Sequence, residues 1–468
     1  MTRIAILGGG PAGYEAALVA VQLGADVTVV DRDGAGGACV LFDCVPSKTL
    51  IATSDAVTAF RDAPELGMRA GTGADVIVDV RTMNARIKAL AAKQSADIRA
   101  RLERDGVRWV EGHGRFAEVQ SAGARALEVV DAAGAVVERV EADVVLVGAG
   151  ATPRELAGSP PDGERILSWR QLYDLTELPE NLVVVGSGVT GAEFASGFSE
   201  LGVPVTLVSS RDRVLPGEDA DAADVIERVF TAHGGTLVKR ARAAKARRAG
   251  AGVEVELFSG EVVHGSHALV CVGSVPATDG LGLRHVGVSV DERGYIVVDR
   301  VSRTTAAGIY AAGDCTGLLL LASVAAMQGR IAMWHALGEA VTPVRLKTVA
   351  ANVFTHPEIA TVGVSATAVA SGQVPARSVM LPLATNARAK MQEQTAGFVK
   401  IFCRPATGVI VGGVVVAQQA SELILPIALS VQRGLTVTEL ANTFSVYPSL
   451  SGSITEAARR LMTHDDLD

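Results

Sequence analysis

The residues in this chain with the clearest chemical capacity are two thiols. Cys39 and Cys44 stand five positions apart in Gly36-Gly37-Ala38-Cys39-Val40-Leu41-Phe42-Asp43-Cys44-Val45-Pro46-Ser47-Lys48. That spacing fits about one helical turn and would set both sulfurs on one face. A disulfide closed over so short a loop adds little stability. The pair therefore reads as a redox couple, with two reduced and packed thiols as the alternative. Asp43 sits directly before Cys44, and its charge would raise the thiol pKa and disfavour the thiolate. The chain has five cysteines, which points to a catalytic pair plus buried thiols and not to a disulfide scaffold. Cys271, inside the apolar run Ala268 to Gly273, and Cys315 are expected to be packed thiols.

Two glycine-rich turns supply a second kind of chemistry. The strand-like Arg3-Ile4-Ala5-Ile6-Leu7 runs into Gly8-Gly9-Gly10-Pro11-Ala12-Gly13, and a helix is predicted over Tyr14 to Gln22. A second strand, Asp26 to Val30, ends at Asp31, eighteen residues after Gly13. Strand, glycine turn, helix and acid in this order form a dinucleotide fingerprint. The glycines let backbone approach a pyrophosphate, the helix N-terminus stabilises its charge, and the carboxylate takes a ribose hydroxyl pair. The pattern recurs at Leu182 to Val185, Gly186-Ser187-Gly188-Val189-Thr190-Gly191, a helix from Ala192 to Leu201 and a strand at Val205 to Val208. Two fingerprints imply two dinucleotides with electron traffic between them. The second site ends in Ser209-Ser210-Arg211 and has no acid there. Hydroxyls and a guanidinium suit a 2′-phosphate that a carboxylate would repel. NADPH is expected over NADH; if Arg211 and Arg213 are only solvated surface charges, both serve.

The rest of the chain must position these groups. With 468 residues, several domains are expected. Apolar residues make up 49% and glycines number 50, as in an α/β protein with many tight strand-to-helix turns. No uninterrupted apolar run reaches the roughly 18 residues that would span a membrane. A net charge of −8 argues against nucleic acid as the main partner. Met1-Thr2-Arg3 leads straight into an apolar strand without a signal-like segment, so a cytoplasmic location is expected. A partly amphipathic helix is predicted over Asn84 to Asp105 and a buried strand over Asp143 to Val147. A further short strand is predicted before Gly313-Asp314.

Taken together, the Cys39/Cys44 segment, the first fingerprint and Gly313-Asp314 resemble the flavoprotein disulfide reductases, the pyridine nucleotide-disulfide oxidoreductases. The resemblance covers essentially the whole chain. It implies an α/β fold with two Rossmann-like dinucleotide-binding domains, for FAD and NAD(P), and a C-terminal α+β dimerisation domain. The expected bounds are 1–150 with 276–345 for FAD, 151–275 for NAD(P) and 346–468 for dimerisation. FAD is assigned to Gly8, Gly10, Pro11, Ala12, Gly13, Asp31, Gly37 and Ala149, with Asp314 on the ribityl chain and Lys48 near the flavin. The nicotinamide nucleotide is assigned to Gly186, Gly188, Val189, Gly191, Ser209, Ser210, Arg211 and Gly273. Lys48 is expected to pair with Glu193. Cys44 is the thiol nearer the flavin and Cys39 the outer one. No metal is expected.

The C-terminal part departs from that family. Val353 to Ala360 resembles the start of its dimerisation domain, and two subunits are expected to pack there and complete each other's sites. A strand pair is predicted around Pro405-Ala406-Thr407-Gly408, a helix over Ser421 to Arg433, and a capping box at Thr436 to Glu439. The family's His-Pro-x-x-x-Glu signature is replaced by Tyr447-Pro448-Ser449-Leu450-Ser451-Gly452. A phenol with pKa near 10 is a poor proton shuttle at neutral pH, and no carboxylate is left to orient a base. His464 lies too far along the chain to substitute. Tyr447 then either lines a pocket for a ring-shaped acceptor or packs an interface. The combination is similar to the actinobacterial branch of NAD(P)H quinone reductases, lipoamide dehydrogenase-like proteins without the dyad. The expected reaction passes hydride from NADPH to the flavin and on to a quinone-type acceptor. A thiol-disulfide reductase using Cys39 and Cys44 is the alternative, and a redox-sensing flavoprotein without fast turnover is a further one. A mercuric reductase would want C-terminal thiols, and no cysteine follows Cys403.

Overall fold

The computed structural model describes residues 1–68, 76–118 and 125–462. It divides into two compact units, one of Met1–Thr49, Arg81–Arg154 and Gly273–Val344, the other of Leu50–Val80, Glu155–Val272 and Arg345–Asp468.

The first unit is built on a five-stranded parallel sheet ordered Ile309–Ala311, Val144–Val147, Arg3–Leu7, Asp26–Asp31, Arg108–Glu111. Its central strands are continuous apolar runs because both faces are covered. Ile4 and Ile6 pack one core with Ala16, Ala20 and Val29, and Ala5 and Leu7 pack another with Phe116, Leu127 and Val145. One face carries the helices Pro11–Gln22 and Ala322–Ala336. A three-stranded antiparallel sheet, His113–Phe116, Arg125–Val130 and Val136–Ala142, belongs to the same unit. The predicted helix near Asn84 spans Val80–Arg104.

The second unit repeats this plan. Its parallel sheet is ordered Thr236–Val238, Val205–Val208, Leu182–Val185, His267–Val270, Ile166–Leu167. The same insertion, a three-stranded antiparallel sheet at Ala243–Ala249, Gly252–Leu257 and Val262–Gly265, precedes the strand His267–Val270. Leu7 pairs with Val30 and Val147 just as Val185 pairs with Val208 and Val270. The register therefore makes Asp31 and Ser209 equivalent, and likewise Gly148 and Cys271.

The same unit carries an antiparallel sheet of Ala350–Val353, Glu358–Gly363, Ile410–Ala417, Phe398–Cys403 and Arg377–Pro382. Ile401, Val415, Ile427, Val437, Ile454 and Ala457 close its core. The expected helix over Ser421 to Arg433 is interrupted at Ile424, giving Ala420–Leu423 and Leu425–Arg433. Pro426 has no backbone N–H to donate there. The capping box at Thr436 and Glu439 forms as its spacing predicts. Lys400 extends from the strand Phe398–Cys403 to Asp219, the N-cap of the helix Ala220–Ala232, at 2.7 Å, and to Asp221 at 2.6 Å. No helix among the described residues is long and apolar enough to cross a membrane.

Candidate functional site

The two glycine turns have the same geometry. Gly8 and Gly186 take φ of +102° and +108°, a region that only glycine enters cheaply. A Cβ on either would lie 2.2 Å from a carbonyl oxygen, of Gly148 and Cys271 respectively. A Cβ on Gly13 would meet the Gly8 oxygen at 1.9 Å, and one on Gly191 the Gly186 oxygen at 1.8 Å. Each helix is thereby drawn tight against its loop. Gly10 and Gly188 differ from these. A Cβ on Gly10 meets nothing nearer than 4.0 Å, and one on Gly188 nothing within 4 Å, so these peptides border open space. A tight loop with one open peptide beside a helix N-terminus, twice over, fits two pyrophosphates.

The ends of the second strands differ. Asp31 accepts from the Gly9 N–H at 2.6 Å with one oxygen, and from Asp33 and Gly34 N–H groups at 2.8 and 2.7 Å with the other. Burial pushes its carboxyl up, against those donors. At the equivalent place Ser209 is buried, and its hydroxyl is shared with Ser187 at 2.7 Å. Ser210 and Arg211 are exposed. Arg213 is tied to Asp224 at 2.9 Å. A further cation, Arg240, comes near this strand end only on folding. The Arg240 backbone N–H donates to the Arg211 carbonyl at 3.1 Å, and its guanidinium is ion-paired with Asp212. Arg240 belongs to a run of cations, and only the packing of Thr236–Val238 beside Val205–Val208 singles it out.

The thiol segment is not one helix. Gly37–Leu41 is a short helix that ends at Phe42, and Cys44 opens the helix Cys44–Arg61. Asp43 N–H returns to the Ala38 carbonyl at 2.8 Å, which breaks the turn that the spacing suggested. Gly36, at φ +91°, starts the short helix, and its N–H donates to Gly9 O at 2.8 Å. This bond holds the thiol segment against the first glycine turn. The Cys39 and Cys44 thiols are free and hydrogen-bond each other. That bond lowers Cys39 and raises Cys44. Burial and Asp43 push both thiols up, while Lys48 pulls both down. Asp314, on the turn after Ile309–Ala311, is raised to about 6 by burial and then by Asp43. Cys39, Cys44, Lys48 and Asp314 are thus brought together around Asp43, whose effect on Asp314 had no sequence signal.

Other expected residues are placed as follows. Glu193 is 4% exposed on the helix Val189–Glu200, and its carboxylate accepts from Phe354 N–H at 2.9 Å. Lys48 belongs to the first unit and Glu193 to the second. Gly273 takes φ +99° with open space around it, and Ala149 follows the oxygen that hems in Gly8. Cys315 is fully buried, with its S–H directed to the Ala312 carbonyl at 3.3 Å, and burial lifts it to about 11. Tyr447 is 86% exposed, beside Phe444 and Val446, which are also exposed. His464 lies outside the described residues.

Two dinucleotide turns of one design and an adjacent thiol pair define an oxidoreductase that uses two nucleotides. The comparisons make this specific. The family model for pyridine nucleotide-disulphide oxidoreductases matches residues 2–329, and the model for their dimerisation domain matches residues 349–458. The chain belongs to this family, whose members use FAD and NAD(P)H. It is 61% identical, over 100% of its length and 95% of the relative's, to an NAD(P)H dehydrogenase (quinone) of Mycobacterium tuberculosis. It is 32% identical, over 97% of its length and 96% of the relative's, to a dihydrolipoyl dehydrogenase of Chlorobaculum tepidum. The crystal structure of LpdA from Mycobacterium tuberculosis superposes with a TM-score of 0.94 at 60% identity, covering 99% of this chain and 100% of that one.

Proposed function

We propose that this protein is an FAD-dependent oxidoreductase that takes hydride from NADPH and delivers the electrons to a quinone-type acceptor. The observation that carries the reading is Tyr447. In the sequence it takes the place of the histidine in the family's His-Pro-x-x-x-Glu signature, which would serve a disulfide substrate as exchange base, while both nucleotide turns are complete. The high identity to an NAD(P)H dehydrogenase (quinone) supports the same choice.

The roles follow from chemistry. FAD fits the first turn, through Gly8, Gly10, Pro11, Ala12, Gly13, Asp31, Gly37, Ala149 and Asp314, and supplies the relay of two electrons when bound. NADPH is held by Gly186, Gly188, Val189, Gly191 and Gly273, with Ser210 and Arg211 toward its 2′-phosphate. Buried Ser209 orders that strand end through Ser187. Arg240 is an additional candidate for the phosphate. Lys48 is the cation assigned to the reacting end of the flavin. The functional division is 1–150 with 276–345, 151–275 and 346–468. The protein works as a cytoplasmic homodimer joined through the last of these.

A second reading is favoured by one observation, the hydrogen bond between Cys39 and Cys44: a thiol-disulfide reductase using a redox-active disulfide. An anaerobic NADPH titration followed by a quinone, then by a small disulfide, separates the two. The expected outcome is quinone turnover that survives Cys39→Ser, with no disulfide reduction. Turnover that disappears with Cys39→Ser would move the assignment to the thiol reductase.

A further inference from the structure

The thiol segment holds a charged group that the proposed reaction does not use. Asp43 is half-buried and is pinned on both sides. Its N–H donates to Ala38 O at 2.8 Å, and its C=O accepts from Ser47 N–H at 2.8 Å. The first bond ties it to the turn that carries Cys39, and the second to the turn that Cys44 opens. Its carboxylate acts on Cys39, on Cys44 and on Asp314. The other groups facing the thiols are Lys48, the Asp314 carboxyl, which like Asp43 pushes Cys39 up, and the half-buried Tyr14 phenol, which borders Cys39. Cys44 is the first residue of an 18-residue helix, where the helix dipole favours an anion. The helix start and Lys48 therefore favour a thiolate, while burial opposes it and Asp43 is the carboxylate that opposes it at both sulfurs, with Asp314 adding to it at Cys39 alone.

We propose that Asp43 decides where the electrons rest: it holds the Cys39–Cys44 couple toward the disulfide and so keeps reducing equivalents for the quinone. This rests on the quinone reading and adds a specificity-determining residue to it. The balance is simple. A hydride equivalent from NAD(P)H breaks the S–S bond and leaves one thiol, one thiolate and NAD(P)+. The disulfide is neutral and the product carries a negative charge, so a fixed negative neighbour penalises only the product. Asp43 need not touch substrate to do this; it is a positioning residue acting through the thiols.

The test uses the full-length holoenzyme. Wild type, Asp43→Asn, Asp43→Ser and Asp43→Glu are equilibrated in stepped dithiothreitol redox buffers at neutral pH. Their thiols are trapped with a maleimide and counted by mass. Asn and Ser remove the charge but still cap a helix, so two independent neutral variants guard against a folding failure. Their exchange equilibria should move toward the dithiol by about tenfold, roughly 30 mV for a two-electron couple. The pH midpoint for alkylation of the pair should fall in both, while Asp43→Glu stays with wild type. Neutral variants that coincide with wild type in both measurements overturn the proposal, even where quinone turnover is intact. A shifted equilibrium in a protein that never reduces a quinone leaves the effect of Asp43 standing and removes the quinone reading instead.

Discussion

At the scale of single residues, the two glycine turns offer a controlled comparison, because one substitution can be made in either. Gly13→Ala places a methyl 1.9 Å from the Gly8 oxygen, and Gly191→Ala places one 1.8 Å from the Gly186 oxygen. Both are backbone clashes, so the helix must back away from its loop and the pyrophosphate loses its close approach. Gly191→Ala should purify yellow, with NADPH binding weakened about tenfold or more, roughly 1.4 kcal/mol. Gly13→Ala should lose flavin colour. Flavin absorbance and an anaerobic NADPH titration read both, and a Gly191→Ala protein that titrates like wild type would refute the assignment of the second turn. These glycines were legible in the sequence because a backbone constraint leaves few residue types to choose from. Arg240 and the reach of Asp43 to Asp314 were not, since both arise from chain segments that meet only on folding.

At the scale of elements, three helix ends converge on one buried carboxylate. Glu200 is 3% exposed at the end of the helix Val189–Glu200. It accepts from Thr58, from Arg61 at 2.7 Å and from His233 at 2.7 Å, which gathers the helices Cys44–Arg61 and Ala220–Ala232. Burial alone would raise it. His233, Thr58 and His356 outweigh that and hold it at about 2. Its folded value is depressed, so its stabilisation is present above the ordinary carboxyl range near 4.5 and is lost as pH falls toward about 2. The amount is on the order of 3 kcal/mol. His356 runs the other way. Burial lowers it, but Asp55 and Glu200 raise it above the ordinary histidine value. Its stabilisation is present at low pH and fades as pH rises through the raised value. Thermal midpoints of wild type should therefore fall at both ends of the pH range. Glu200→Gln should be less stable at neutral pH and should show a flatter acid limb; an unchanged acid limb would show that Glu200 does not carry the linkage. None of this was legible, because Thr58, Glu200, His233 and His356 share no spacing. The helix periods were legible, yet their breaks at Phe42 and Ile424 were set by a backbone bond to Ala38 and by Pro426.

At the scale of the whole molecule, the internal repeat explains why so much could be read in advance. Strand, turn and helix recur with the same register, and each copy carries the same inserted three-stranded sheet. What a repeat cannot reveal is what covers the C-terminal surface. Phe444 is 103%, Val446 77% and Tyr447 86% exposed, and Leu425 and Leu429 on the helix Leu425–Arg433 are exposed as well. Apolar side chains of this size, clustered in a segment that matches a dimerisation domain, would cost free energy if left in water. A second copy of the chain is the expected cover. Phe444 and Val446 have almost no contact to lose within their own chain, so Phe444→Asp with Val446→Asp should leave the fold and its thermal midpoint nearly unchanged. The pair of charges should instead shift the particle to monomer in sedimentation velocity. If Tyr447 serves an acceptor only from across that interface, quinone turnover falls with the dimer fraction while NADPH still reduces the flavin. A variant that stays dimeric would show that the two subunits meet on another face.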